Sequence, residues 1–425
     1  MTCTATQFFT LFFAELEKRG IPYVIIHSYE CLPEETLTDI DYAVSDSDVP
    51  KIRAIQTELA RRNGWVLAQT LRHGVFAWYS VMACIDDARE NLKLDLCSNY
   101  ARARRFLVSE KILLEGRRRH RGFFIPAPAA EFIYVATKLF DAKKKSPADY
   151  IPRLRELWEQ EPGDAQKYFT QVFGDTGLTL AEWFSQPPEQ WQRLRKILFD
   201  RNRFGPWLLA REAARLLRRT LQPTGAFVTV LGPDGAGKST LLENLQAILE
   251  PFFRHQAVFH FRPMLFQKKR ESVSDPHGRP PRGVLASWLK VFYYFAEWWL
   301  GFFMLIVPAK VRSTLVIFDR SFDDLSIDPK RYRLRGAGVL VRFLRRLLPR
   351  ADRVLILDAP PEVIHARKPE LPVREIEAQR SALRALAKGG PRCVLLAADE
   401  SPEKVARHAA REVVRFLAAR NETRT

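Results

Sequence analysis

The segment Gly232-Pro-Asp-Gly-Ala-Gly-Lys-Ser-Thr240 constrains this chain more than any other. It satisfies the pattern G-x-x-x-x-G-K-[ST] at Gly232, Gly237, Lys238 and Ser239,. An apolar run, Phe227–Leu231, precedes it, and a helical pattern over Leu241–Leu249 follows. Glycines, Gly235 among them, let consecutive backbone N–H groups curl around a phosphate, and the helix start adds the positive end of its dipole. Lys238 is then placed for the terminal phosphates of a nucleoside triphosphate, and Ser239, followed by Thr240, for its Mg²⁺. ATP and Mg²⁺ are the cofactors predicted. A strand entering such a loop and a helix leaving it begin an α/β domain with a parallel sheet.

At 425 residues the chain is too long for one ordinary core,. Residues 1–128 alternate helix and strand. Phe8, Phe9, Leu11, Phe12, Phe13 and Leu16 mark an amphipathic helix, and Val49–Asn63 a second,. Strands are expected at Pro22–Ile26, Tyr42–Val44, Trp65–Gln69, Val75–Cys84 and Leu92–Cys97,. Residues 129–222 read as a helical subdomain rich in Leu, Trp and Arg, broken at Ser146-Pro147, Glu161-Pro-Gly163 and Gln186-Pro-Pro188,. The third domain is 223–425, opened by Ala226–Leu231.

Within it, Leu315–Asp319 is an apolar strand ending in a carboxylate that faces Mg²⁺ or a bound water, and Arg320 follows at the edge where open α/β sheets bind ligands,. A third such strand, Arg353–Asp358, leads to a helix with Arg367 and Lys368. The stretch containing Arg374, Arg380 and Arg384 reads either as a lid over phosphates or as a solvated helix. Asp323, Asp324 and Asp328 are either metal or sugar contacts or turn-forming carboxylates.

GPDGAGKST, the strand-end FDR and LDAPPEVIHARK together resemble the thymidylate kinase group of nucleoside monophosphate kinases over most of 224–400. HFRP (260–263), DPHGRPP (275–281) and DRSFDDLSIDPKRYR (319–333) are more similar to thymidylate-kinase-like proteins of bacterial surface-polysaccharide clusters. The resemblance implies that Asp234 contacts a substrate hydroxyl, and that Asp319 and Arg320 bind Mg²⁺ or water and the acceptor phosphate. It implies that Arg262 touches the acceptor and that Arg367 begins the lid. Ser321 stands where an aromatic usually follows the Asp-Arg pair, and the aromatic segment 284–309 is larger than a thymidylate kinase needs. Both departures argue against thymidylate as the acceptor.

In the N-terminal region Asp39 and Asp41, two apart on a strand, share a face,. Asp95, on a separate strand, completes a candidate cage for a divalent metal of the kind two-metal nucleotidyl transfer requires. GIPYVIIHSY followed by DIDYAV resembles the DNA polymerase beta-like nucleotidyltransferases over about residues 10–130, with His27-Ser28 in place of the family's Gly-Ser turn.

A net charge of +18 suits anionic partners,. A nucleotide and a small phosphorylatable acceptor are expected, and nucleic acid is not. Five cysteines without metal or CxxC spacing fit a reducing compartment, and the N-terminus lacks the basic-then-apolar order of a secretory signal,. The protein is therefore expected in the cytoplasm. The run from Val291 to Pro308 approaches membrane-spanning length, but Glu297 sits mid-run, at a cost of about 2.5–3.5 kcal/mol on insertion scales,. Burial of most of this helix is expected, with peripheral contact at the inner membrane face through 284–309 as the other use of its apolar surface. The leading expectation is an ATP- and Mg²⁺-dependent phosphotransferase acting on a nucleotide, sugar or sugar phosphate. The alternatives are nucleotidyl transfer at Asp39, Asp41 and Asp95, alone or in a bifunctional enzyme, and an ATP-gated scaffold docking at a membrane.

Overall fold

The computed structural model describes residues 3–36, 39–102, 105–141, 147–201, 205–263, 280 and 282–424. Most of the 275–281 motif therefore lies outside the described residues. The chain divides into two compact units, 1–84 with 90–218, and 85–89 with 219–425.

The first unit opens with α1 (Ala5–Lys18), begun by a capping box between Thr4 and Gln7,. Then come β1 (Tyr23–Ile25), β2 (Ile40–Val44), α2 (Val49–Arg62), β3 (Trp65–Arg72), β4 (Ala77–Cys84) and β5 (Asn91–Cys97). The strands form a mixed sheet in the order β1-β2-β5-β4-β3, in which only β2 and β5 run parallel. β4 starts at Ala77 rather than Val75, because the His73 and Gly74 N–H groups both donate to the Ala77 carbonyl and close the hairpin. Two short ribbons follow, β6 (Tyr100–Arg102) with β7 (Arg105–Val108) and, after α3 (Glu110–Leu114), β8 (Arg118–His120) with β9 (Phe123–Ile125).

Period-two alternation explains how this sheet carries a layer on each face. Tyr23 and Ile25 join Phe8, Phe12, Tyr42 and Trp65 in one core. Val24, Ile26 and Ala43 turn the other way, into the core formed by α4 (Pro128–Asp141), α5 (Ile151–Gln160), α6 (Pro162–Phe173), α7 (Leu180–Phe184) and α8 (Gln192–Arg201). The helices expected from 129 onward thus share a core with the N-terminal strands. Helix α9 (Pro206–Leu221) follows α8 in the chain.

The second unit contains β10 (Ala226–Leu231), α10 (Lys238–Leu249), β11 (His255–His260), α11 (Val284–Gly301), a π-helical turn (Phe302–Ile306), α12 (Val307–Val311), β12 (Thr314–Asp319), α13 (Asp324–Ile327) and α14 (Gly338–Leu347). It ends with β13 (Arg353–Asp358), α15 (Pro361–Arg367), α16 (Val373–Ala387), β14 (Cys393–Ala397) and α17 (Pro402–Glu422). The five strands are all parallel in the order β11-β12-β10-β13-β14, an arrangement compatible with a P-loop-like α/β fold.

Among the described residues one helix, 284–311, is long and apolar enough to cross a membrane. The expected burial does not hold: only 28% of its most apolar window is covered. One stripe, with Val291, Trp298 and Ile306, faces the sheet, where the Trp298 ring lies 4.7 Å from that of Phe318. A helix can give a single packed layer only one such stripe, and this one is apolar well beyond it.

The aromatic core of α1 is open to test. Phe12 is fully buried and meets Phe13 and Tyr42 edge-on. In urea unfolding, Phe12→Ala should cost the first unit about 3–5 kcal/mol, against less than about 1 kcal/mol for Leu11→Ala at an exposed position of the same helix,.

Candidate functional site

All six residues of β10 are buried, and the strand lies at the centre of the parallel sheet. The chain leaves it for β11 at one edge, returns to β12 beside it, and later crosses to β13 on the other side. Such a reversal opens a crevice at the carboxyl ends of the strands, where ligands bind. His260, Asp319, the loop 232–237 and Asp358 all stand at that end.

The loop needs its glycines. Gly235 and Gly237 have φ of +88° and +92°, and a Cβ on Gly235 would stand 3.0 Å from the Ile364 carbonyl oxygen,. Lys238 is buried and bends back on the loop, donating to the carbonyls of Gly232 (2.9 Å) and Pro233 (2.8 Å). Burial, assisted by the nearby charge of Arg320, lowers its pKa. Ser239 and Thr240 are exposed in the first turn of α10.

A charge network closes one side of the loop. The Asp234 carboxylate accepts from Arg320 and from Arg331 (2.5 Å) and lies 3.4 Å from the Lys238 Nζ. Burial alone would raise the Asp234 pKa, but the charges of Arg320, Lys238 and Arg331 outweigh it and hold the carboxyl well below the usual range,. Arg320, 4% exposed, also reaches Asp324 (3.4 Å). Burial pushes the fully enclosed Asp324 up to about 6 despite Arg320. Arg320 takes a left-handed φ of +74°, pinned by its N–H donating to the Val230 carbonyl. A side chain in that region costs on the order of 1 kcal/mol or more, and such strain concentrates at functional sites. Asp234 and Arg320, each expected to meet a substrate, are here paired with each other.

Asp319 is different. Its Oδ2 is 3.0 Å from His260 Nδ1, while its Oδ1 is buried with no hydrogen-bond partner among the described residues. An orphaned carboxylate oxygen at the end of β12 and an exposed Ser239 hydroxyl in the first turn of α10 are hard-oxygen donors of the kind that suit Mg²⁺,. His260 entered the sequence analysis only within HFRP, with no role of its own. The available signal was its position, in register with Asp319 on the adjoining strand. The other expected residues are engaged within the protein. Arg262 is held by the fully buried Glu297 (2.5 Å) and by the Tyr293 hydroxyl (3.3 Å). Arg367 donates to the Ala398 carbonyl (2.9 Å), and Arg380 and Arg384 clamp Asp358. Asp323 pairs with Arg345, Asp324 accepts the Ser321 N–H, and Asp328 accepts the Arg331 N–H, so all three act as turn-forming or pairing carboxylates.

In the first unit, Asp41 and Asp95 sit in register on parallel β2 and β5. Each N-terminal carboxylate has a cationic or imidazole partner: Asp39 with Lys93 (3.3 Å), Asp41 with Lys138 (3.1 Å) and Asp95 with His73 (2.8 Å). Among the described residues no group of three or more His, Cys, Asp or Glu is arranged to hold a metal ion. Ser28, in the His27-Ser28 turn, takes a left-handed φ of +56°.

No protein-family model matches the chain, and no curated protein matches it.

The Asp234 network predicts an acid dependence. A carboxyl whose folded pKa is depressed stabilises the fold above its unfolded pKa, and that contribution fades as pH falls. At neutral pH Asp234→Asn should destabilise the second unit by leaving Arg320 and Arg331 without their carboxylate. Urea unfolding from about pH 6 to 2 should show the gap between wild type and variant narrowing as pH drops below about 4. A constant gap would place the pairing energy elsewhere.

Proposed function

We propose that the second unit is an ATP- and Mg²⁺-dependent phosphotransferase, similar to thymidylate kinases, whose acceptor is a nucleotide, sugar or sugar phosphate. One observation carries this reading. The loop Gly232–Thr240 lies between a central parallel strand and a helix, beside a strand-end carboxylate with an unsatisfied buried oxygen.

The chemistry required is positioning and charge neutralisation. An acceptor oxygen forms a bond to the γ-phosphorus as the bond to the ADP oxygen breaks. Phosphate oxygens are stronger acceptors than peptide carbonyls, so a bound triphosphate draws Lys238 away from Gly232 and Pro233. Ser239 and Asp319 are the residues that would hold Mg²⁺, which would supply neutralisation of phosphate charge. Arg320 and Arg331 supply positive charge beside Asp234, and an acceptor hydroxyl or phosphate competes for that pairing. His260, bonded to Asp319 through Nδ1, can take a proton at Nε2 from an acceptor hydroxyl,. Arg367, Arg380 and Arg384 form the lid in this reading, latched on Ala398 and Asp358 when no nucleotide is present.

A second activity, nucleotidyl transfer in the first unit, is favoured by the in-register pairing of Asp41 with Asp95 across β2 and β5. It requires metal ions to displace Lys138 and His73 from those carboxylates.

Calorimetry and product analysis separate the two. Lys238→Ala should weaken ATP binding by at least about tenfold, the loss of a charge-assisted contact to phosphate, and should abolish ADP formation. Asp39→Ala should leave both unchanged. Unaltered ATP affinity in the Lys238 variant would remove the nucleotide from this loop. Pyrophosphate release that Asp41→Asn abolishes would establish the second activity.

A further inference from the structure

We propose that the helix 284–311, together with α14, is a docking surface for an anionic lipid leaflet, with the helix lying in the plane of the membrane rather than crossing it. The surface is separate from the phosphotransfer site and does not depend on it.

The helix has two faces of different character. At 100° per residue, Leu285, Leu289, Phe292, Ala296 and Leu300 fall on one side, and all are exposed, Leu285 by 74% and Leu289 by 65%,. Trp288 and Trp299 flank this row at 44% and 39%, and Met304 extends it at 63%. Ser287, Val291 and Trp298 fall on the opposite side and are buried. The continuous helical stretch of 28 residues is about 42 Å long, so the exposed row far exceeds a chance apolar spot,.

The packed face rules out spanning. Trp298 lies on Phe318 and Phe227 of the sheet. Gly301 admits Pro263 so closely that a Cβ there would collide with the proline ring. Glu297, 0% exposed, is paired with Arg262. A spanning helix would abandon these contacts and carry a bare carboxylate into hydrocarbon, whereas a helix lying in the interface keeps them all.

Charge selects the occupant. Glu297 is the one acidic residue in 284–311, it is buried, and α14 has none. The exposed cations around the apolar row are Arg282 and Arg312 at its ends and Arg335, Arg342 and Arg346 on and before α14. Helix α14 packs against α11 and adds its own exposed apolar edge, Val339, Phe343 and Leu347. Apolar side chains, Trp rings and cations with no exposed anion complement a leaflet of negative headgroups over acyl chains.

The test is flotation of the full chain with phosphatidylcholine vesicles, with and without phosphatidylglycerol, at low and high salt. Wild type should float with anionic vesicles, more weakly at high salt, and little with phosphatidylcholine alone. Leu289→Gln/Met304→Gln should bind about tenfold more weakly, with thermal unfolding unchanged because both side chains are already exposed,. Arg342→Gln/Arg346→Gln should lose the salt-sensitive part. Failure of wild type to float, or an apolar variant that floats as well as wild type, overturns the proposal. So does lipid-free self-association that the same variant abolishes, since a second copy would then cover the face. Retention on vesicles after alkaline carbonate washing would overturn the in-plane orientation.

Discussion

Arg320, Arg331 and Lys238 converge on the one carboxylate of Asp234, and the candidate site depends on that convergence. The network forms because the parallel sheet delivers Arg320 from the end of β12 beside the loop that follows β10. Arg320 accepts a strained backbone to arrive there. Without Asp234 two guanidinium groups and an ammonium would crowd together in a low-dielectric crevice. Burial makes each of these charges costly alone and strongly coupled together. In the proposed phosphotransferase, phosphate groups would compete for the cations that Asp234 now satisfies.

A similar logic runs through the rest of the second unit. Asp358 holds Arg380 and Arg384, the Ala398 carbonyl holds Arg367, and Glu297 holds Arg262. Much of the positive charge near the strand ends is therefore parked on internal acceptors. In the first unit the polarity is reversed, with three carboxylates countered by Lys93, Lys138 and His73. The Glu297–Arg262 pair has a further consequence: it lets a carboxylate sit within a strongly apolar helix without facing solvent or lipid.

The loop at 232–240, the strand-end Asp319, the strand Arg353–Asp358 and the aromatic stripe of α1 were legible because each is a local pattern with its own periodicity or spacing. His260 appeared only inside HFRP, without a role of its own, since its pairing with Asp319 depends on lateral register across two strands separated by more than fifty residues of chain. The partners of Asp41 and Asp95 were hidden for the same reason: Lys138 comes from α4 and His73 from a hairpin turn. Arg262 and Arg367 could be marked as basic residues near a resemblance, yet nothing local indicates that one would be claimed by Glu297 and the other by a carbonyl.

Segment 284–309 shows most clearly where the division falls. Its helical character and its excess of apolar side chains follow from the order of residues, because periodicity and hydropathy are properties of the chain itself. Which stripe is covered, and that the central carboxylate lies on the covered side, depends on where the sheet meets the helix. The chain by itself determined the elements, the strand–glycine-loop–helix pattern at 232–240 and the apolar excess. Only tertiary structure decided the pairing of charges and the exposed face, because ion pairs and burial depend on distances between segments far apart along the chain.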